Sequence, residues 1–449
     1  MKKRWFVILS ILFALFLTAC GQSDDDAESK DSNSGENVVV NETGMPIVDE
    51  TITLKFFAGR APASAKDWND VLVFNEYEKM TNIDIQWEMV PREGLEEKRN
   101  LALASGNLPD AFHSALIPNT DIFRYGKQGI FIPLNDLIDQ YAPNLKKIME
   151  EQPEVRKALT FPDGNIYSFP TIYEEDFLSL RLGNRPWINK EWLDALGMDM
   201  PENLDELYEY LVSVKNTDLN GNGEQDEIPL SARNIDFLLA WFNGAFGVGN
   251  KGVNHLFVDT KPGTDELRFY PISDEYKEML QYLNKLFSEG LIDPNVINDE
   301  FDTFVANGTL GKYGAMISQA PTVLFGGDIG GNYVGAPALA GPSGQKLYTG
   351  LAPTVQDIGG FVITSENPYP EATIRWIDHF YSDEGIRFFF MGIEGETYRV
   401  TEDGSYEYVE EITNNPDGLS MDEALAKYLT WPGGGYPGVV TSKYFNGAE

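Results

Sequence analysis

From residue 52 onward the apolar residues change their period again and again, and this alternation limits the folds open to the chain. Residues 52–57 have the apolar density of a buried strand, and Val71, Leu72, Phe74, Tyr77 and Met80 recur at helical intervals. Residues 83–90 alternate like a strand, and the spacing then predicts a helix over 96–104. Ser105-Gly106-Asn107-Leu108-Pro109 ends that helix with glycine followed by proline. Further helices are predicted over 201–215, 274–289 and 370–382, and an apolar strand over 359–364; no short internal repeat is present. Strand and helix in turn imply an α/β fold, a mainly parallel sheet with helices on its faces, whose ligands bind outside the carboxyl ends of the strands. A chain of 449 residues exceeds one ordinary core and implies two lobes.

The first twenty residues read as an export signal. Lys2, Lys3 and Arg4 precede an apolar stretch over 5–17, which is shorter than the roughly 20 residues a bilayer span needs. Leu17-Thr18-Ala19-Cys20 closes it with small residues before the sole cysteine of the chain, and resembles the lipobox of bacterial lipoproteins. The resemblance implies removal of residues 1–19, a lipid on Cys20 and a place at the outer face of the cell membrane. An ordinary signal peptide or a short membrane helix is the alternative. With no second cysteine there is no disulfide, so stability must come from core burial. Residues 20–50 are rich in Ser, Asp, Glu, Asn and Gly and poor in large apolar side chains, the composition of a disordered acidic tether.

Charge narrows the function further. The chain has 34 basic and 70 acidic residues, a formal net charge of −36, which repels nucleic acid and anionic lipid. His113, His255 and His379 are the only histidines, and no H-E-x-x-H, nucleophile elbow or P-loop is present. Gly247-x-Gly249-x-x-Gly252 spells a dinucleotide fingerprint, but the residues after it read as extended where a helix should receive the pyrophosphate. Paired carboxylates for glycoside hydrolysis meet in space and leave no sequence signature.

The sharpest local signal is Asp218-Leu219-Asn220-Gly221-Asn222-Gly223-Glu224-Gln225-Asp226-Glu227. Asp218, Asn220 and Asn222 can turn alternate oxygens inward, and Gly223 stands at the sixth position, where a calcium loop turns sharply. Glu224 would add its carbonyl, and Asp226 and Glu227 would complete a hard oxygen cage. Pro229 occupies the twelfth position, where an EF-hand needs Glu, so the loop is read as a structural Ca²⁺ site of another kind. The alternative is an acidic turn, since Asp, Asn and Gly favour turns without any metal.

Several segments together resemble the family 1 extracellular solute-binding proteins, the carbohydrate-binding lipoproteins of the maltose-binding class. They are Ala104-Ser105-Gly106-Asn107-Leu108-Pro109-Asp110, Gly129-Ile130-Phe131-Ile132-Pro133-Leu134, Asp163-Gly164-Asn165-Ile166-Tyr167, Glu191-Trp192-Leu193-Asp194-Ala195-Leu196-Gly197 and Gly392-Ile393-Glu394-Gly395-Glu396-Thr397-Tyr398. The resemblance implies a two-lobed periplasmic-binding-protein-like fold with hinge strands and a ligand cleft between the lobes. It implies a carbohydrate ligand and ABC transporter permease subunits as partners, with no catalysis; related loops in some members favour calcium. One lobe would take residues 51–170 and 312–381, the other 171–311 and 382–449, with hinge crossings near 167–174, 312–318 and the helix ending at 382. Large members continue well past the counterpart of Trp431, which implies a last part of the second lobe beyond Glu449. A surface glycoside hydrolase, or a binder of a non-sugar solute, is the alternative.

Sugars present hydroxyl edges and weakly apolar faces, so their sites combine stacked aromatic rings with a few directed polar groups. Arg60 and His113 follow strands and are placed at the cleft, Tyr173 and Glu174 at the first crossing, and Gln319 after the second. Trp241 and Trp431 stand among glycines and are read as exposed indoles. Trp192 and Trp376 have helical apolar neighbours and are read as core.

Overall fold

The computed structural model describes residues 38–61, 64–249, 257–298, 301–417, 419, 421–431 and 436–444. Cys20, His255 and Gly252 lie outside the described residues. Contacts divide the chain after Val38, and the fold that follows is that of the unit beginning at Val39.

The first sheet contains β1 (Ile52–Arg60), β2 (Ile83–Pro91), β3 (Ala111–His113) and β11 (Phe361–Ile363), in the order β11-β3-β1-β2. β1 is parallel to both neighbours, with Ile52 opposite Ile83, Arg60 opposite Pro91, and Ala58 opposite His113. β11 closes the edge antiparallel, Phe361 facing His113. The helix predicted over 96–104 begins earlier and runs Arg92–Ser105; Gly106, at φ 74°, stops it in the left-handed conformation that its missing Cβ permits. Aromatic rings fill the space behind this sheet, with Phe56 centred 5.5 Å from Trp87 and 5.4 Å from both Phe361 and Trp376. Such edge-on pairs add attraction beyond the area they bury.

The chain leaves this sheet through β4 (Thr171–Tyr173) and enters a second one. That sheet contains β5 (Arg185–Asn189), β6 (Ile228–Ala232), β9 (Tyr313–Ser318) and β10 (Tyr333–Gly335), in the order β10-β5-β9-β6. β6 and β9 are parallel, and β5 is antiparallel to β9 and β10. The helix Leu204–Lys215 buries Leu204, Leu207, Tyr210, Leu211 and Val214, and the Asn203 side chain caps it by accepting from Glu206 N at 2.9 Å. Full burial of each such aliphatic side chain contributes about 1.5–3 kcal/mol. A hairpin of β7 (Val258–Thr260) and β8 (Leu267–Phe269) lies between β6 and β9 in sequence. After β11 the chain adds the hairpin β12 (Tyr398–Val400) and β13 (Tyr406–Tyr408), and then β14 (Gly438–Val440), which lies parallel to β4.

Two expectations about the lobes are corrected here. Residues 312–318 were expected as a hinge crossing of the first lobe, but every residue of β9 is buried inside the second sheet, and β10 joins it there. Residues after 382, expected in the second lobe, pack on the first. Phe389 meets Phe380 at 5.4 Å, Val73 N donates to Tyr428 O at 3.0 Å, and Ser64 Oγ donates to Thr430 O at 3.2 Å. Trp192 and Trp376 are core residues, as the helical spacing implied, at 5% and 1% exposure.

Candidate interlobe ligand site

Because β1, β2 and β3 run parallel, Arg60, Arg92 and Ser114 leave the first sheet at one edge. The two segments that join the sheets pass that edge side by side. Thr171 N donates to Asp357 O at 3.0 Å, Gln356 N to Thr171 O at 2.9 Å and Tyr173 N to Thr354 O at 2.7 Å. β14 lies along the other side of β4. Arg181 ties the outgoing and returning segments together, donating from Nε to Ala352 O at 2.9 Å and from Nη1 to Glu175 O at 2.6 Å. A paired ribbon of short segments between two sheets is the arrangement on which lobes can rotate as a hinge.

Arg60 and Tyr173 are half-buried at this edge. Burial raises the Tyr173 hydroxyl pKa, and the nearby Asp357 carboxylate adds to the shift. Asp357 is itself raised by burial, against a hydrogen bond from the Gly359 backbone and the Arg92 charge, and its Oδ2 has no partner among the described residues. Glu174 is engaged elsewhere, accepting from both Ser442 N and Ser442 Oγ at 2.8 Å. Gln319 is exposed just after β9.

Three sequence expectations fail on burial. His113 is 2% exposed and edge-on to Trp68 and Trp87, with ring centres 5.5 and 5.4 Å away; burial lowers its pKa to about 3 and keeps it neutral. It is a core histidine. Trp241 is fully buried in the second core, donating from Nε1 to Pro337 O at 3.4 Å, because the helix Ile235–Asn243 turns its apolar face inward. Trp431 is 7% exposed, packs on Phe390 and donates to Phe390 O at 3.2 Å. Both indoles have a partner for the ring and a partner for the N–H, the two needs of a buried Trp.

The indole that the sequence reading missed is Trp187, half-exposed where every other described Trp is buried. It alternates with Arg185 and Asn189 along β5, a pattern that places it on the opposite face from Pro186 and Ile188. Its Nε1 donates to Ser318 O at 3.1 Å, beside Gln319, and the Arg185 guanidinium lies 5.2 Å from the ring centre. Arg185 opposes Ser318 in the sheet, so Arg185, Trp187 and Gln319 share the corner of the second sheet next to the crossing. Tyr348 closes that corner by donating to Asn184 O at 2.9 Å.

The 218–227 loop is wound about its own oxygens. Asp218 accepts from Gly221 N at 2.8 Å and Gly223 N at 2.9 Å; Asn220 accepts from Asn222 N at 3.1 Å, and Asn222 from Glu224 N at 2.7 Å. Gly221 and Gly223 take φ of 73° and 85°. Lys312 sits 2.7 Å from Asp226 and, with amide bonds from Asn220 and Asn222, lowers its pKa to about 2. Glu227 is 9% exposed; Oε1 accepts from Leu219 N at 2.7 Å and Asn220 N at 3.2 Å, while Oε2 is buried with no partner among the described residues. Among the described residues, no three His, Cys, Asp or Glu side chains are gathered closely enough to form a metal cage. The donor set remains one of hard oxygens, and the orphaned Glu227 oxygen fits a cation.

Similarity to known proteins agrees with this architecture. Over 385 residues the chain is 37% identical to the fructooligosaccharide ABC transporter substrate-binding protein FusA of Streptococcus pneumoniae, spanning 84% of this chain and 68% of that one. The FusA structure in complex with kestose superposes with a TM-score of 0.69 at 33% identity, covering 88% of this chain and 79% of that one. An EF-hand mutant of FusA in complex with fructo-nystose gives 0.67, with the same identity and coverage. The HMO-binding, ABC-transporter-associated solute-binding protein of Bifidobacterium longum infantis gives 0.73 at 25% identity, covering 87% and 78%. Lipoprotein LipO of Bacillus subtilis is 24% identical over 457 residues, 95% of this chain and 79% of that one. Residues 63–386, well over half of the sequence, match the bacterial extracellular solute-binding protein family. With two sheets, a paired crossing and polar and aromatic side chains at the facing edges, the chain belongs to that family and has its two-lobed binding-protein fold.

Proposed function

We propose that this protein captures an oligosaccharide between its lobes and presents it to an ABC importer, without chemical change to the sugar. The observation that supports this reading is the paired crossing at residues 171–173 and 354–357, which joins the lobe that carries Arg60 to the lobe that carries Arg185, Trp187 and Gln319. Similarity to FusA favours a short fructan. Titration calorimetry with kestose and nystose, with chromatography of the sugar afterward, tests the proposal. Saturable binding with intact sugar is expected. Cleavage would make the protein a glycoside hydrolase, which needs two carboxylates about 5–10 Å apart across a groove.

Calcium at 218–227 belongs to the same proposal. Asp218, Asn220, Asn222, the Glu224 carbonyl, Asp226 and Glu227 would hold it, and the ion would draw the Asp218 and Glu227 carboxylates together and brace the second lobe. The orphaned Glu227 oxygen and the EF-hand mutant made of FusA support this reading. Lipidation of Cys20, attachment to the outer face of the membrane and contact with permease subunits complete it. The similarity to LipO supports the anchor, and fatty-acid labelling of wild type and Cys20→Ser tests it.

A further inference from the structure

The backbone after β3 does something that side chains resist. It enters the left-handed region at Ser114, φ 51°, and again at Leu116, φ 50°. Asn82, the other described non-glycine residue at positive φ, ends a helix, where that conformation is ordinary. Two such residues in one three-residue loop must be held there by their surroundings.

The restraints are visible. Arg99, 4% exposed, donates from Nη1 to Ala115 O at 2.9 Å and to Leu116 O at 2.6 Å. Ser114 N donates to Gly360 O at 2.7 Å, and Ser114 Oγ is 3.0 Å from His113 Nδ1. Gly59 lets the loop lie against β1, since a Cβ there would press on the Ser114 carbonyl. Ser114 and Ala115 are thereby drawn into the core, at 5% and 0% exposure, while the Leu116 side chain stays 37% exposed. A glycine would relieve the backbone at 116, yet a large apolar residue stands there. It stands at the carboxyl edge, next to the crossing segment that Ser114 grips.

We propose that Leu116 is a ligand contact, the first lobe's apolar rest for the C–H face of a sugar ring, and that Arg99 is its positioning residue. The inference rests on the oligosaccharide reading above. Fixing a contact residue before the ligand arrives removes its ordering cost from binding.

The test uses kestose, titrated into the full chain and its variants. Leu116→Asn tolerates positive φ, so its melting temperature should equal or exceed that of wild type while its affinity falls about tenfold, the equivalent of 1.4 kcal/mol. Arg99→Met keeps an unbranched stem but removes the Nη1 group that reaches both carbonyls, and should weaken binding in the wild-type background. In the Leu116→Asn background it should weaken binding no further, because it acts through Leu116. A purely structural Arg99 would give additive losses. Wild-type affinity in Leu116→Asn, or additivity in the double variant, overturns the inference. Failure of the wild type to bind kestose, nystose or any other oligosaccharide overturns the oligosaccharide reading itself and this inference with it.

Discussion

Asp378 is 2% exposed and does a task that the sequence beside it cannot. The helix Pro143–Glu151 begins after Ala142, which has no side chain to cap the first N–H groups. Asp378 supplies the cap from 234 residues away, its Oδ1 accepting from Leu145 N at 2.8 Å and its Oδ2 from Asn144 N at 3.1 Å and Nδ2 at 2.8 Å. Burial raises its pKa to about 6, and the Leu145 and Asn144 bonds and the Arg375 charge oppose that without cancelling it. A carboxyl whose folded pKa exceeds the unfolded value of about 3.9 stabilises most below that value and loses the contribution as pH rises through about 6. Asp378→Asn loses one acceptor and should cost about 1–3 kcal/mol near pH 4. The gap to wild type should then narrow toward pH 7, by up to about 3 kcal/mol. Urea unfolding of both proteins at pH 4, 5.5 and 7 checks this, and a gap that widens with pH would show that the charged form is the favoured one. Long-range partners of this kind also explain which residues were misread. Trp241 and Trp431 have glycine neighbours in sequence, but their burial is decided by Pro337 and Phe390, which no local pattern announces. Trp187 was legible in principle, since the alternation of Arg185, Trp187 and Asn189 marks a polar face of a strand. The strained loop at Ser114 and Leu116 left no trace in the sequence, because its cause is the distant Arg99.

At the scale of elements the sequence was more informative. Helical periodicity located the helices Leu204–Lys215 and Asp274–Ser288 closely, and the Gly106 stop matched the structure, because amphipathic spacing and terminators are local signals. Sheet membership was not local. β9 is buried on all sides, so its run of apolar residues fits either sheet, and only pairing with β5 and β6, both distant in sequence, assigns it. The 218–227 loop lies between these cases, since its turns follow from Asp, Asn and Gly while its metal would depend on oxygens brought together. Removing calcium should leave the carboxylates of Asp218 and Glu227 less compensated. Melting curves should therefore shift down in chelator, by the equivalent of about 2.7 kcal/mol if calcium was at a hundred times its Kd. Asp218→Ala should melt lower in calcium and respond little to chelator. Identical wild-type curves with and without chelator, together with no calcium by elemental analysis, would leave the acidic turn as the reading of this loop, with Lys312 beside Asp226.

For the whole molecule, the decisive property is that a ribbon of short segments, β4 paired with residues 354–357, joins two four-stranded sheets. A ligand that touches both lobes has higher affinity for the closed arrangement, and it shifts the population toward closure by that difference alone. Sugar binding should therefore reduce the radius of gyration in solution scattering. Trp187 should report the same event optically, because it is half-exposed at the lobe corner while Trp68, Trp87, Trp192, Trp241, Trp376 and Trp431 are shielded in the cores. Kestose should change the tryptophan emission of wild type, and Trp187→Phe should abolish most of that change. Trp187→Phe should also weaken binding several-fold, as a smaller ring offers a poorer stacking face and loses the N–H bond to Ser318 O. Arg181→Met, which cuts the brace between the two crossing segments, should alter the amount of shrinkage without removing the emission change. If kestose binds wild type and the radius of gyration stays constant while emission changes, then the sugar is held by one lobe and the crossing ribbon is a rigid spacer.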